Sequence, residues 1–223
     1  MSTDPSGPGH HDGPGTALTD FQLEVARLFF ALPASQGFLL AGGAALAAQH
    51  LTERPTQDLD FFTRQGGGDV ATARDSLEAA ASARGWTVRR LRDSETFCRL
   101  VVCGPEELLV DLALDSPPAH PEATSPAGPT FSLDELAGRK LIALFDRAEA
   151  RDFADVYTLA TRFPKATLLE RATEVDAGFD RAVLADMFAT LARFHDDDLP
   201  IPVGQVHSLR DFFAGWEREL RDA

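Results

Sequence analysis

Long apolar runs are missing from this chain. No stretch approaches the roughly 18 consecutive apolar residues that cross a bilayer, and no basic segment followed by an apolar one opens the sequence. A soluble, cytoplasmic protein with no membrane partner is expected. Cysteine is almost absent: Cys98 and Cys103 lack the second pair or neighbouring histidines that a zinc site needs, so both read as reduced packing residues. Positive charge is short as well. The formal net charge is -14, whereas nucleic-acid binders usually carry a basic surface that displaces counterions from phosphate. Any contact with RNA must then use a local patch. Lysine is scarcest of all, since Lys140 and Lys165 are the only two among 21 basic residues. The arginine excess reads as coding bias. That makes a surviving lysine informative, because its flexible point charge is not freely replaced by a planar guanidinium.

What remains is enough for a globular enzyme: 223 residues, 44% of them hydrophobic, can bury one substantial core. Residues 1–15 (MSTDPSGPGHHDGPG) are too poor in apolar side chains to offset ordering entropy and are expected to form a disordered tail, with His10 and His11 solvated within it. From Thr19, the positions Phe21, Val25, Leu28, Phe29 and Leu32 follow a helical period that Pro33 closes. GFLLA predicts a strand, Gly42-Gly43 a turn, AALAAQHL a helix and QDLDFFT a second strand ended by the glycines at 66–68. An alanine-rich helix from about Asp69 to Arg84 precedes three strand candidates, WTVRRLRD, ETFCRLVV and ELLVDLALD, whose short connections favour an antiparallel meander. Ser116 to Thr130 holds five prolines and no periodicity, which suggests a connector; five helical segments follow it.

Several residues stand out chemically. Asp58 and Asp60, two apart in a strand, leave the same face with Cα atoms roughly 6.5 to 7 Å apart, while Leu59 and Phe61 face the core. Such a pair suits a hard divalent cation, whose other positions are filled by water and substrate phosphates. An isolated DxD is also what two solvated aspartates look like. Gly42-Gly43, between an apolar strand and a helix, shifts the balance: without Cβ atoms the backbone can approach phosphate, and the free amides at the start of a helix attract it. Asp111 supplies a third acid. It shares its strand face with Leu109 and Ala113, against Leu108, Val110, Leu112 and Leu114 on the other, and serves either as metal ligand or general base or as a hydrogen-bonded edge aspartate. Asp115 reads as a turn residue.

Lys140 interrupts the helical stripe of Leu136, Leu144 and Arg147, so it either reaches a triphosphate or snorkels from a half-exposed helix. Arg151, Asp152 and Asp155 open the next helix, where first-turn acids are favourable for dipole reasons alone; Asp152 is nonetheless a site candidate. Arg84, Arg89, Arg90, Arg92 and Arg99 form the densest basic segment, either a phosphate contact or the solvent face of strands.

Together GGAALAAQHLTERPTQDLDFF, VDLALDSPP and LAGRKLIALFDRAEARDFADVYTL resemble, in order and spacing, the AbiEii/AbiGii-type nucleotidyltransferase toxins of bacterial type IV toxin-antitoxin systems, part of the polymerase-β-like superfamily. The resemblance runs from about Gly37 to Leu159. It implies an α/β (α+β) fold, a minimal nucleotidyltransferase mixed-sheet lobe over 16–130 followed by a helical bundle over 131–223, with the active site in the cleft between them. Gly42 and Gly43 would cradle a triphosphate, Asp58 and Asp60 would bind magnesium, and Asp111 would be the third acidic position. Lys140 and Asp152 would form the later motifs, and Arg54 and Thr56 would support the nucleotide or the acidic strand. The implied activity is transfer of a nucleotide from an NTP to an acceptor hydroxyl, in some relatives the 3′ end of tRNA, under control of a cognate antitoxin. A small-molecule acceptor such as an aminoglycoside, and a module that binds nucleotide or partner without turnover, are the alternatives.

Overall fold

A computed structural model describes residues 17–222; the expected tail of residues 1–15 lies outside them. Helix α1 (Asp20–Phe30) begins at a reciprocal cap: the Thr19 hydroxyl accepts from the Gln22 amide while the Gln22 side chain accepts from the Thr19 amide. It buries Phe21, Val25 and Phe29. A short 3-10 turn leads into strand β1 (Phe38–Ala41), buried throughout. Helix α2 (Gly42–Ala48) starts on the glycines themselves and stops before Leu51, because His50 turns into the left-handed region at φ 57°. Strand β2 (Asp58–Arg64) and helix α3 (Val70–Ala83), capped by Asp69, follow.

Strands β3 (Thr87–Asp93), β4 (Phe97–Cys103) and β5 (Glu107–Asp115) form the expected antiparallel meander. Leu108, Val110 and Leu112 are buried as their alternation requires, but Leu114, near the strand end, is exposed. The proline-rich segment is more than a connector. It carries strands β6 (Ala123–Ser125) and β7 (Gly128–Thr130), and β7 joins β1 in parallel through Leu40 and Thr130. Three-residue strands are too short to show an alternation, so their pairing is decided by the carbonyl of Leu40, which accepts from Thr130 Oγ1 at 3.0 Å and from the Phe131 amide at 3.1 Å.

The seven-stranded sheet has the order β3-β4-β5-β2-β1-β7-β6. It is mixed: β2 runs antiparallel to β1 and parallel to β5. Helices α1 and α3 cover the face bearing Phe61, whose ring stacks on Phe29 with centroids 4.2 Å apart. Beyond the sheet come α4 (Leu133–Arg147), α5 (Ala150–Leu159), α6 (Lys165–Val175), α7 (Arg181–Ala189) and α8 (Val206–Arg221). Ala148, left-handed at φ 45°, breaks α4 from α5. Helix α4 packs on α5, α6 and α7 and touches α2, tying the helices to the sheet, while Phe153, Phe188, Phe213 and Trp216 fill the helical interior. Among the described residues, no helix is long and apolar enough to cross a membrane.

Candidate active site

Strand register assembles the acids. With Leu59 and Phe61 fully buried on one face of β2, Asp58 and Asp60 leave from the other. Parallel pairing sets Asp111 of β5 beside Asp60, and antiparallel pairing sets Ala41 of β1 on its other side. The chain therefore turns at Gly42 directly against the Asp60 carboxylate. Gly42 has φ +64°, and a Cβ there would lie 1.8 Å from Asp60 Oδ2. Only glycine allows both this backbone conformation and this approach. A Cβ on Gly43 would meet Thr56 Oγ1 at 2.9 Å and the Arg54 guanidinium at 3.0 Å, so the 54–56 loop closes on the same bend. Gln22 of α1 holds that loop by donating to the Thr56 carbonyl at 2.8 Å.

The three carboxylates are satisfied unequally. Asp58 accepts from Thr56 Oγ1 at 3.0 Å and has Arg151 at 3.9 Å. Asp111 is gripped by Arg99 through Nε and Nη2 at 2.8 and 2.6 Å. Asp60, among the described residues, accepts no hydrogen bond and forms no ion pair. Asp60 is half-buried in the cleft floor, and desolvation there, followed by the charges of Asp58 and Asp111, pushes its carboxyl up to about 7, against the weaker pull of Lys140 and Arg151. No group of three or more metal-binding side chains is assembled among the described residues. The two-carboxylate face of β2, open to the cleft, still fits a hard divalent ion, which takes one or two carboxylates and completes its shell with water and phosphate.

The opposite wall comes from α4 and α5. Lys140 and Arg54 converge on Asp155, with Lys140 Nζ at 2.7 Å and Arg54 making bonds of 3.0 to 3.1 Å. Asp155 is fully buried and Lys140 only 7% exposed. Asp152, also fully buried, points elsewhere: it takes two bonds of 2.9 Å from Arg147 and caps the Glu149 amide at 3.1 Å. Arg147 lines the cleft and Asp152 stands behind it. Gly42, Gly43, Arg54, Thr56, Asp58, Asp60, Asp111 and Lys140 all border one cleft of 1040 Å³.

The sequence by itself does not single out two residues of this site, Asp155 and Arg99. Asp152 and Asp155 both lie near the start of α5, only Asp152 in its first turn, and nothing in the spacing says which one meets Lys140. Arg99 was one of five arginines, although the tight turn between β4 and β5 pairs it directly with Asp111. The remaining four lie in or beside edge strand β3 and mostly meet acids: Arg89 faces Glu107, Arg90 faces Asp75, Glu78 and Asp93, and Arg84 faces Glu24. Arg92 lies over the Phe97 ring.

The family model for the AbiEii nucleotidyl transferase toxin of type IV toxin-antitoxin systems matches residues 26–221. The chain belongs to the AbiEii family. As an AbiEii nucleotidyltransferase toxin, it has the cleft between sheet and helices as its candidate site of transfer. Its fold is that of solved nucleotidyltransferase toxins. MenT4, a nucleotidyltransferase toxin from Mycobacterium tuberculosis, superposes with a TM-score of 0.60 at 18% identity, over 90% of this chain and 85% of that one. JHP933 from Helicobacter pylori gives 0.54 at 17% identity, over 92% and 95%. No curated protein matches the chain significantly.

Proposed function

We propose that this AbiEii family member transfers a nucleoside monophosphate from an NTP to an acceptor hydroxyl on tRNA or another RNA, in the cytoplasm and under restraint by a cognate antitoxin. The observation that carries the reading is the contact between the Gly42 bend and the Asp60 carboxylate, with Asp58 on the same strand face. It brings a place for phosphate and a place for a cation to one point. The acceptor hydroxyl gives up its proton to water in the cleft, its oxygen forms a bond to the α-phosphorus, and the bond to the pyrophosphate oxygen breaks in line with it, so that pyrophosphate leaves.

Each residue has a role in that step. The backbone at Gly42 and Gly43 receives the triphosphate, while Arg54 beside that bend and Lys140 from the helical wall neutralise it and Thr56 orients Asp58. Magnesium held by Asp58 and Asp60, with Asp111 as the third acidic position, would supply charge neutralisation at the reacting phosphate. Asp152 acts through Arg147, which it holds at the cleft edge. Catalysis on this reading is positioning plus electrostatics. We assign the transferase lobe to residues 16–130 and the helical domain to 131–223.

A second reading gives the same site a cationic small-molecule acceptor such as an aminoglycoside. The net charge of -14 and the acids at the cleft margin, Asp115, Asp146, Asp176 and Asp198, favour it. Incubation with each labelled NTP and either total RNA or a panel of aminoglycosides separates the two. Label in RNA supports the first reading and label in the small molecule the second. Tight NTP binding with no pyrophosphate released under any acceptor would instead mark a binding module.

A further inference from the structure

We infer that Arg99 is a positioning residue that limits the resting site to one divalent cation, by occupying the place a second cation would take at Asp111. The inference deepens the metal-dependent reading above and rests on it. Register partners run across the sheet in the row Ala41, Asp60, Asp111, Arg99. The guanidinium therefore lies one strand beyond the acids and closes on Asp111 with two parallel bonds of 2.8 and 2.6 Å. Both oxygens of Asp111 are engaged. Both of Asp60 are left to the cleft.

The two partners differ in how they tolerate separation. The Asp111 side chain is 8% exposed and Arg99 is 46% exposed. A released Arg99 is hydrated again at small cost, but a released Asp111 stays largely buried and requires another cation. Arg99 also rests over the Phe97 ring at 5.8 Å, which favours its present orientation. With Arg99 in place, Asp58 and Asp60 hold one ion. Without it, Asp60 and Asp111 stand as a second adjacent carboxylate pair.

The test counts Mn2+ ions bound by nucleotide-free protein, by electron paramagnetic resonance of free Mn2+ during titration, and needs no turnover. Wild type is expected to bind one ion per chain and Arg99→Gln two. Arg99→Lys, which keeps a cation near Asp111, is expected to return the count to one, a rescue that a purely structural role for Arg99 does not predict. Circular dichroism identifies folded variants, and Arg99→Met replaces the glutamine variant if that one fails to fold. A folded Arg99→Gln protein that binds one ion with wild-type affinity overturns the inference, as does a wild type that binds two. A wild type that binds none overturns the inference, and if Asp58→Asn also transfers nucleotide at the wild-type rate the underlying metal reading falls with it.

Discussion

Asp60, on the cleft floor, and Asp155, buried behind the Lys140 and Arg54 of the same cleft, are built in opposite ways. Asp155 is fully buried, yet Lys140 and Arg54 satisfy both of its oxygens. Asp60 has no such partner, and the charges that act on it most strongly are two more acids. The helical side pairs its buried acid with two cations inside the protein, whereas the strand floor leaves Asp60 without an ion pair. A buried charge with its partners in place holds structure together, and one deprived of them is kept for a ligand.

The sharpest way to break this contrast is Asp60→Ala. It is expected to abolish nucleotide transfer while the protein remains folded. A loss of several kcal/mol of transition-state stabilisation corresponds to roughly a 1000-fold fall in rate. Full activity of the purified variant on labelled NTPs would remove Asp60 from the mechanism. Asp155→Ala should behave the other way. Stripping the counter-ion from nearly buried Lys140 and from Arg54 is expected to cost about 3 to 5 kcal/mol of stability, read as a lowered urea midpoint. An unchanged midpoint would mean that the helical wall does not depend on that triad.

Gly42→Ala tests whether the two halves of the floor must touch. The new Cβ would sit 1.8 Å from Asp60 Oδ2 in a left-handed conformation, so either the acid or the turn has to move. A displacement of about 1 Å near the reacting atoms is expected to reduce transfer roughly 100-fold. Gly66→Ala, with a similar φ of +72° but nothing near its Cβ, is the control for backbone strain alone. Wild-type rates in the first variant would show that the glycine bend is a turn and nothing more.

The smallest effect is on pH dependence. Because the folded-state pKa of Asp60 is raised from 3.8 to about 7, the folded protein holds this proton more tightly than the unfolded chain. Its contribution to stability is fully present below about pH 4 and is lost as pH rises through about 7. In a chelator, the melting temperature of wild type is therefore expected to fall between pH 5 and 8 relative to Asp60→Asn. Parallel curves for the two proteins would show that Asp60 is not strained by its neighbours. Divalent cation should restore wild type at pH 8 and leave Asp60→Asn little changed.

Much of this was legible in advance because it depends on local periodicity. The alternation in β2 fixes that Asp58 and Asp60 share a face whenever Leu59 and Phe61 are buried, and the Gly42-Gly43 bend follows from an apolar strand meeting a helix. The five segments after the proline-rich stretch are helices because their apolar positions repeat at the helical period. Arg99 lay within reach too, since a tight hairpin determines which residues oppose one another.

The rest was settled by contacts between distant segments. Strands β6 and β7 have too few residues to carry a pattern, and β7 exists because β1 offers a carbonyl at the right place. The choice between Asp152 and Asp155 depends on how α5 is rotated after the left-handed break at Ala148, an angle that packing on α4 and α8 sets. By itself the sequence determined which residues share a face and where the chain turns. Only the tertiary structure decided which charges are cancelled and which, like Asp60, are left without a partner, because that depends on groups up to about a hundred residues apart meeting in one low-dielectric cleft.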